Sequence, residues 1–198
     1  MKKDKNKQNK TIAIVAGVVI ALLLLFVFKG YVYQWAVKYE DAGSRKNYDI
    51  KDETLASFII QNLPNDEALD ENIDISQIID FSLSMTDQAL DFSIEYSDNE
   101  PSKAFQNKGA NCVGYAAFTA ATGNYLLKRF GLDKEWEARP KKGKLYLFGN
   151  NMHKNATSGW FKDHDFVIFK NKKTKEEIYV DPTAYEYFGA RRVDKFQK

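Results

Sequence analysis

Cysteine is almost absent from this chain. Cys112 is the single one among 198 residues. One thiol excludes an intramolecular disulfide framework and any Cys-rich zinc site. Two histidines leave little room for a metal cage, so no metal and no cofactor is expected. A strong charge of one sign is also lacking. Lys and Arg number 29 against 27 Asp and Glu, a formal net charge of +2. Near-neutrality hides three blocks, at +5 over residues 1–40, −12 over 41–100 and +9 over 101–198. The basic excess of the last block is scattered among Lys-rich turns, at Lys141–Lys144 and Lys170–Lys175. That pattern solvates a surface, and no nucleic-acid partner is expected. No internal repeat is visible, and the only low-complexity stretch is N-terminal. What is present is ample apolar matter: 44% hydrophobic and 14% aromatic residues, enough to bury a core. The length suits one domain with an appendage.

That appendage reads as a membrane signal. Residues 1–10 carry five Lys and one Asp, a basic tail expected in the cytoplasm. In residues 11–28 only Thr11 is polar. At about 1.5 Å per residue, with aromatic flanks, such a run crosses a hydrocarbon core of roughly 30 Å. Lys29 ends it, and Tyr31, Tyr33 and Trp35 follow as interfacial aromatics. The expectation is a single-pass signal anchor in the cell membrane, with the C-terminal part extracytoplasmic. A cleaved signal peptide is the rival reading, but the run is long and no A-x-A-like site follows it.

Residues 29–50 read as a juxtamembrane connector and 51–198 as one domain. Asp52 is placed to cap a helix carrying Leu55, Phe58, Ile59 and Leu63, stopped at Pro64. Ile75, Ile78, Ile79 and Leu83 mark a second helix, and Thr86 a third with Leu90 and Ile94 inward. Between them, Asp66 to Asp74 has the composition of a calcium loop without its turn Gly or closing Glu. Residues 97–108 read as loop. Asn111 to Leu127 form a helix rich in small residues, ended by Gly131. Tyr146–Phe148, Phe166–Phe169 and Ile178–Val180 are strand-like, the last two joined by a turn. Helices first and strands after predict an α+β fold, its helices packed on an antiparallel sheet.

Chemistry converges on the lone thiol. Cys112 lies at the start of the small-residue helix, where unpaired N–H groups and the positive dipole end favour a thiolate. The segment alone fits a nucleophile and a small buried hydrophobe equally. His164 opens the strand His164-Asp-Phe-Val-Ile-Phe, and Asp181 ends the strand Ile178-Tyr-Val-Asp. Antiparallel pairing places the two side by side at one end of a hairpin. There Asp181 can accept the imidazole Nδ1–H and point Nε2 at the thiol. His153 competes as base, but its neighbours read as loop.

These residues resemble the transglutaminase-like superfamily of papain-like cysteine enzymes. The resemblance rests on Gly109…Cys112…Tyr115-Ala116, on His164 with Phe166, and on Val180-Asp181-Pro182-Thr183, and spans roughly residues 86–190. The aromatic two residues after the His is commonly Trp in that family and is Phe166 here. The resemblance implies a papain-like fold and acyl transfer through a thioester on Cys112, with His164 as base and Asp181 stabilising the imidazolium. The backbone N–H of Cys112 is one oxyanion donor, and Gln106 is a guess at a second. A peptide, protein or other amide-containing substrate follows, with hydrolysis and transamidation both open. A peptidase or amidase is the expectation by analogy. The alternatives are a catalytically silent domain used for binding or assembly, and a cysteine wall hydrolase of another family.

Overall fold

Capping side chains set where several of the helices begin. A computed structural model describes residues 2–64, 73–95, 98–157 and 162–197. Helix α1 runs Lys2–Val27 and α2 runs Lys29–Ala36, followed by strand β1 at Val37–Ser44. The Asp52 side chain accepts the Leu55 N–H at 2.8 Å and opens α3, Glu53–Gln61, which buries Leu55 and Ile59. Asp74 and Gln77 form a reciprocal capping box at the start of α4, Ile75–Ala89. The remainder of the acidic stretch compared above with a calcium loop, residues 66–72, lies outside the described residues.

Two helices differ from their predicted bounds, each for a physical reason. Thr86 does not cap a third helix. Its hydroxyl bonds the Ser82 carbonyl and the Thr119 hydroxyl, both at 2.8 Å, and α4 continues past it. Residues 97–108 are not all loop, because Pro101 starts α5, Pro101–Asn107. Proline is accepted at a first helical position, where its missing N–H has no partner to lose. Two short strands, β2 (Asp91–Phe92) and β3 (Gly109–Ala110), pair in parallel and lead the chain into α6, Cys112–Arg129. Gly131 at φ +72° ends α6 as predicted.

The main sheet contains β4 (Trp136–Leu147), β5 (Asn150–Asn151), β6 (His164–Asn171), β7 (Glu177–Val180) and β8 (Asp194–Lys195), with α7 (Pro182–Phe188) between the last two. Its order is β7-β6-β4-β1-β8, with β5 on β4. The pairs are antiparallel except β1 with β8, so the sheet is mixed. A further bridge from Tyr179 to Val193 nearly closes it on itself. The class is α+β. The segment read as a connector supplies α2 and β1, and β1 lies between β4 and β8 rather than outside the fold. Lys141–Lys144, read as a turn, lies inside β4.

Two apolar clusters hold the layers. One joins α3, α4 and α6 to the sheet through Leu55, Ile79, Phe118, Val167 and Phe169. Small residues on α6 make this contact close: a Cβ on Gly123 would lie 2.7 Å from the Phe169 ring. The second cluster, with Tyr39, Phe166, Ile168 and Tyr179, fills the curl of the sheet. Among the described residues no single helix is long and apolar enough to cross a membrane. Ile14–Val27 and Lys29–Ala36 reach that measure only as a pair bent by 75°.

Candidate functional site

Cys112 is the first residue of α6 and is partly exposed. Asn111 precedes it as N-cap, its side-chain oxygen accepting from the N–H groups of Val113 (3.0 Å) and Gly114 (3.3 Å). The N–H of Cys112 itself has no acceptor within the helix. Gly114 lets this turn approach β3, since a Cβ there would lie 2.5 Å from that of Ala110. The thiol is thus fixed on a rigid helix end rather than on a loop.

His164 and Asp181 are brought together as the hairpin predicts. His164 Nε2 lies 2.7 Å from Asp181 Oδ2, and the imidazole is close enough to the Cys112 side chain to interact with it electrostatically. The ring is turned the other way from the sequence expectation. Asp181 takes Nε2, which leaves Nδ1 for the sulfur. Asp181 has little choice of geometry, because it is also the N-cap of α7. Its Oδ1 accepts from Thr183 N–H (2.9 Å) and Ala184 N–H (3.1 Å), so Oδ2 is the atom left to meet the ring.

The electrostatics follow from that packing. Burial opposes charge on Asp181, but the His164 imidazolium, the Tyr39 hydroxyl and the Ala184 N–H hold its carboxyl below the usual range. Burial would likewise push His164 down. The Asp181 carboxylate outweighs it, the Cys112 side chain adds to it, and the imidazole keeps its proton well above the usual histidine range. The arrangement favours a protonated imidazole paired with the Asp181 carboxylate.

Several supporting residues carry no motif. Tyr39 donates to Asp181 Oδ2 at 2.5 Å and in turn accepts from Tyr33 at 2.6 Å. Burial and the Asp181 charge raise both phenols, which keeps them as donors. Arg45 forms a two-pronged bond to Asp165, at 2.7 and 2.9 Å, and is close enough to Cys112 to interact with its charge. Asp165 is fully buried beside His164, so it needs such a partner. Gly143 pairs with His164 across β4 and β6, and the Phe166 ring lies where its Cβ would be. Period-two burial in Val37-Lys-Tyr39 was the one available signal for β1, and a buried Asp165 implied a cation elsewhere.

Other candidates lie on other elements. Gln106 is exposed on α5 and lines a groove with Asp52, Thr54, Phe58 and Gln88. His153 sits in the turn after β5, its N–H bonded to the Asn151 side chain. Among the described residues no group of three His, Cys, Asp or Glu is placed to hold a metal. Compared with family models, curated proteins and solved structures, the chain matches none.

Proposed function

We propose that the protein is a membrane-anchored extracytoplasmic cysteine acyl-transfer enzyme, resembling the transglutaminase-like superfamily and its papain-like fold. One observation carries the reading. A buried, four-fold hydrogen-bonded Asp181 grips His164 Nε2, and the same ring interacts with the side chain of Cys112 at a helix start. In the mechanism, the Cys112 proton passes to His164 Nδ1. The thiolate attacks an amide carbonyl carbon, and the C=O electron pair moves to oxygen, held by the Cys112 N–H. Collapse breaks the C–N bond, the amine leaves with the Nδ1 proton, and a thioester remains. Water gives its proton to Nδ1, attacks the thioester and releases a carboxylic acid and the thiol. An amine in place of water completes transamidation.

Membrane attachment belongs to the same proposal. Residues 11–28 are apolar apart from Thr11, and every side chain from Ile14 to Phe28 stands clear of the domain. A basic tail precedes them. A soluble setting would leave this apolar surface in water.

Iodoacetamide labelling tests the chemistry, and the lone cysteine makes the single adduct unambiguous. Cys112 is expected to alkylate at about pH 6, where an ordinary thiol of pKa about 8.5 is inert, and His164→Ala to suppress this. A thiol that reacts only near its ordinary range and ignores the His164 change removes the enzyme reading and leaves a tethered binding module.

A further inference from the structure

We propose that α2 and the β4–β5 tip form a docking platform that lays the domain flat on the lipid–water interface of its own membrane. The proposal rests on the anchor reading above and adds an orientation to it. Helix α1 ends at Val27 and α2 begins at Lys29, at 75° to its predecessor. With α1 along the membrane normal, α2 runs close to the membrane plane.

One side of α2 is fastened to the domain. A Cβ on Gly30 would lie 3.0 Å from the Phe188 carbonyl oxygen, so the backbones of α2 and α7 nearly touch. Tyr33 stacks on Phe188 with ring centres 4.6 Å apart. The other side carries Tyr31, 74% exposed, and Trp35, 69% exposed. Trp35 meets Phe148 edge-on at 5.2 Å. Phe148 heads the turn after β4 at φ +48°, a conformation that suits Gly or Asn, yet it holds a large apolar ring 63% exposed. Its N–H bonds the Ala36 carbonyl, which ties the tip to the end of α2. Met152, also exposed, extends the patch.

The occupant follows from connection and composition. A single residue separates the platform from the apolar helix, so whatever solvates α1 also meets α2. Tyr and Trp with an apolar body and a polar tip are the residues that settle at headgroup level. A protein partner would have to compete with a bilayer that the chain itself holds against this face.

The test uses the full chain in phosphatidylcholine vesicles, with flotation to establish membrane association. Emission of the wild type minus that of Trp35→Phe isolates Trp35. The expected result is a blue-shifted Trp35 signal, quenched by lipids brominated high on the acyl chain and spared by aqueous iodide. Phe148→Asp is expected to weaken that lipid quenching. A floating chain whose Trp35 is quenched by iodide and not by brominated lipid overturns the platform and leaves the anchor standing. A Trp35 shielded from both quenchers also overturns it, in favour of a protein covering this face. A chain that does not float overturns anchor and platform together. The alkylation test of Cys112 reads the chemistry independently of all three.

Discussion

Asp181→Asn separates the charge of the proposed triad acid from its structural duty. Asparagine caps helices as well as aspartate does, so the bonds from Thr183 and Ala184 N–H to Oδ1 persist and α7 keeps its start. The change falls on the other atom. An NH2 group now donates to His164 Nε2, where the carboxylate accepted. The ring is forced into the tautomer with its proton on Nδ1, which cannot take the proton of Cys112. Without the carboxylate, burial is left to push His164 down. A hydrogen bond to a charged group is worth about 1.5–3 kcal/mol. At about 1.4 kcal/mol per tenfold, the reactive ion pair becomes roughly 10- to 150-fold scarcer. Alkylation of Cys112 at about pH 6 should slow by that factor. The deficit should close toward about pH 9, where solvent hydroxide removes the thiol proton without help. The assay is the second-order alkylation rate against pH, read by intact mass. A profile that superimposes on the wild type refutes the role given to Asp181. A loss equal at every pH refutes it too, since that is the signature of an occluded or unfolded thiol.

Three further perturbations test the support around the site. Tyr39→Phe removes a donor to Asp181, so its carboxyl titrates higher. The stability from a lowered carboxyl is present above its unfolded value of about 3.9 and lost as pH falls through the folded one. The variant should therefore lose about 1.5–3 kcal/mol in urea unfolding at neutral pH, with a smaller deficit in acid. Arg45→Met leaves Asp165 buried without its partner. Burial already raises that carboxyl, and losing Arg45 raises it further, so the loss of about 1–3 kcal/mol should be largest at neutral pH and shrink as Asp165 takes up a proton. Gly143→Ala places a Cβ 2.3 Å from the Phe166 ring and 2.8 Å from the Glu40 carbonyl oxygen. Overpacking should cost about 1–3 kcal/mol and shift His164, giving lower thermal stability and slower Cys112 labelling together.

Legibility in the sequence tracked how local each cause was. Asn111 before Cys112, Asp52 before its helix and Gly131 after α6 act within a turn of themselves, and each stands where its residue type predicts. His164 and Asp181 were readable because one short turn joins their strands. The orientation of the ring was not, since it depends on Asp181 spending Oδ1 on α7. Strand β1 was missed because its outer half is wet and charged, and its partners are β4, about a hundred residues on, and β8. Pro140 and three nearby lysines, Lys141, Lys142 and Lys144, disguised β4 in the same way. Thr86 looked like a cap because nothing nearby shows that Thr119 will be its partner. Tyr33, Tyr39 and Arg45 reach the site through those same distant pairings.

The place of β1 also sets the order in which this protein can fold. During synthesis, residues 37–44 emerge early, yet their sheet partners are residues 141–147 and 194–195. One edge stays unpaired until residue 147 has been made, and the other until nearly all of the described chain has been. Contacts of such long sequence separation form slowly, after loop-closure entropy has been overcome. The helical layer from α3 to α6, whose contacts are nearer in sequence, can assemble first. The acid–base half of the site comes later, because Tyr39 is carried by β1 and His164 lies on β6. Cys112 is therefore in place before the imidazole that the proposed mechanism pairs with it, and the candidate site is completed only when the sheet is.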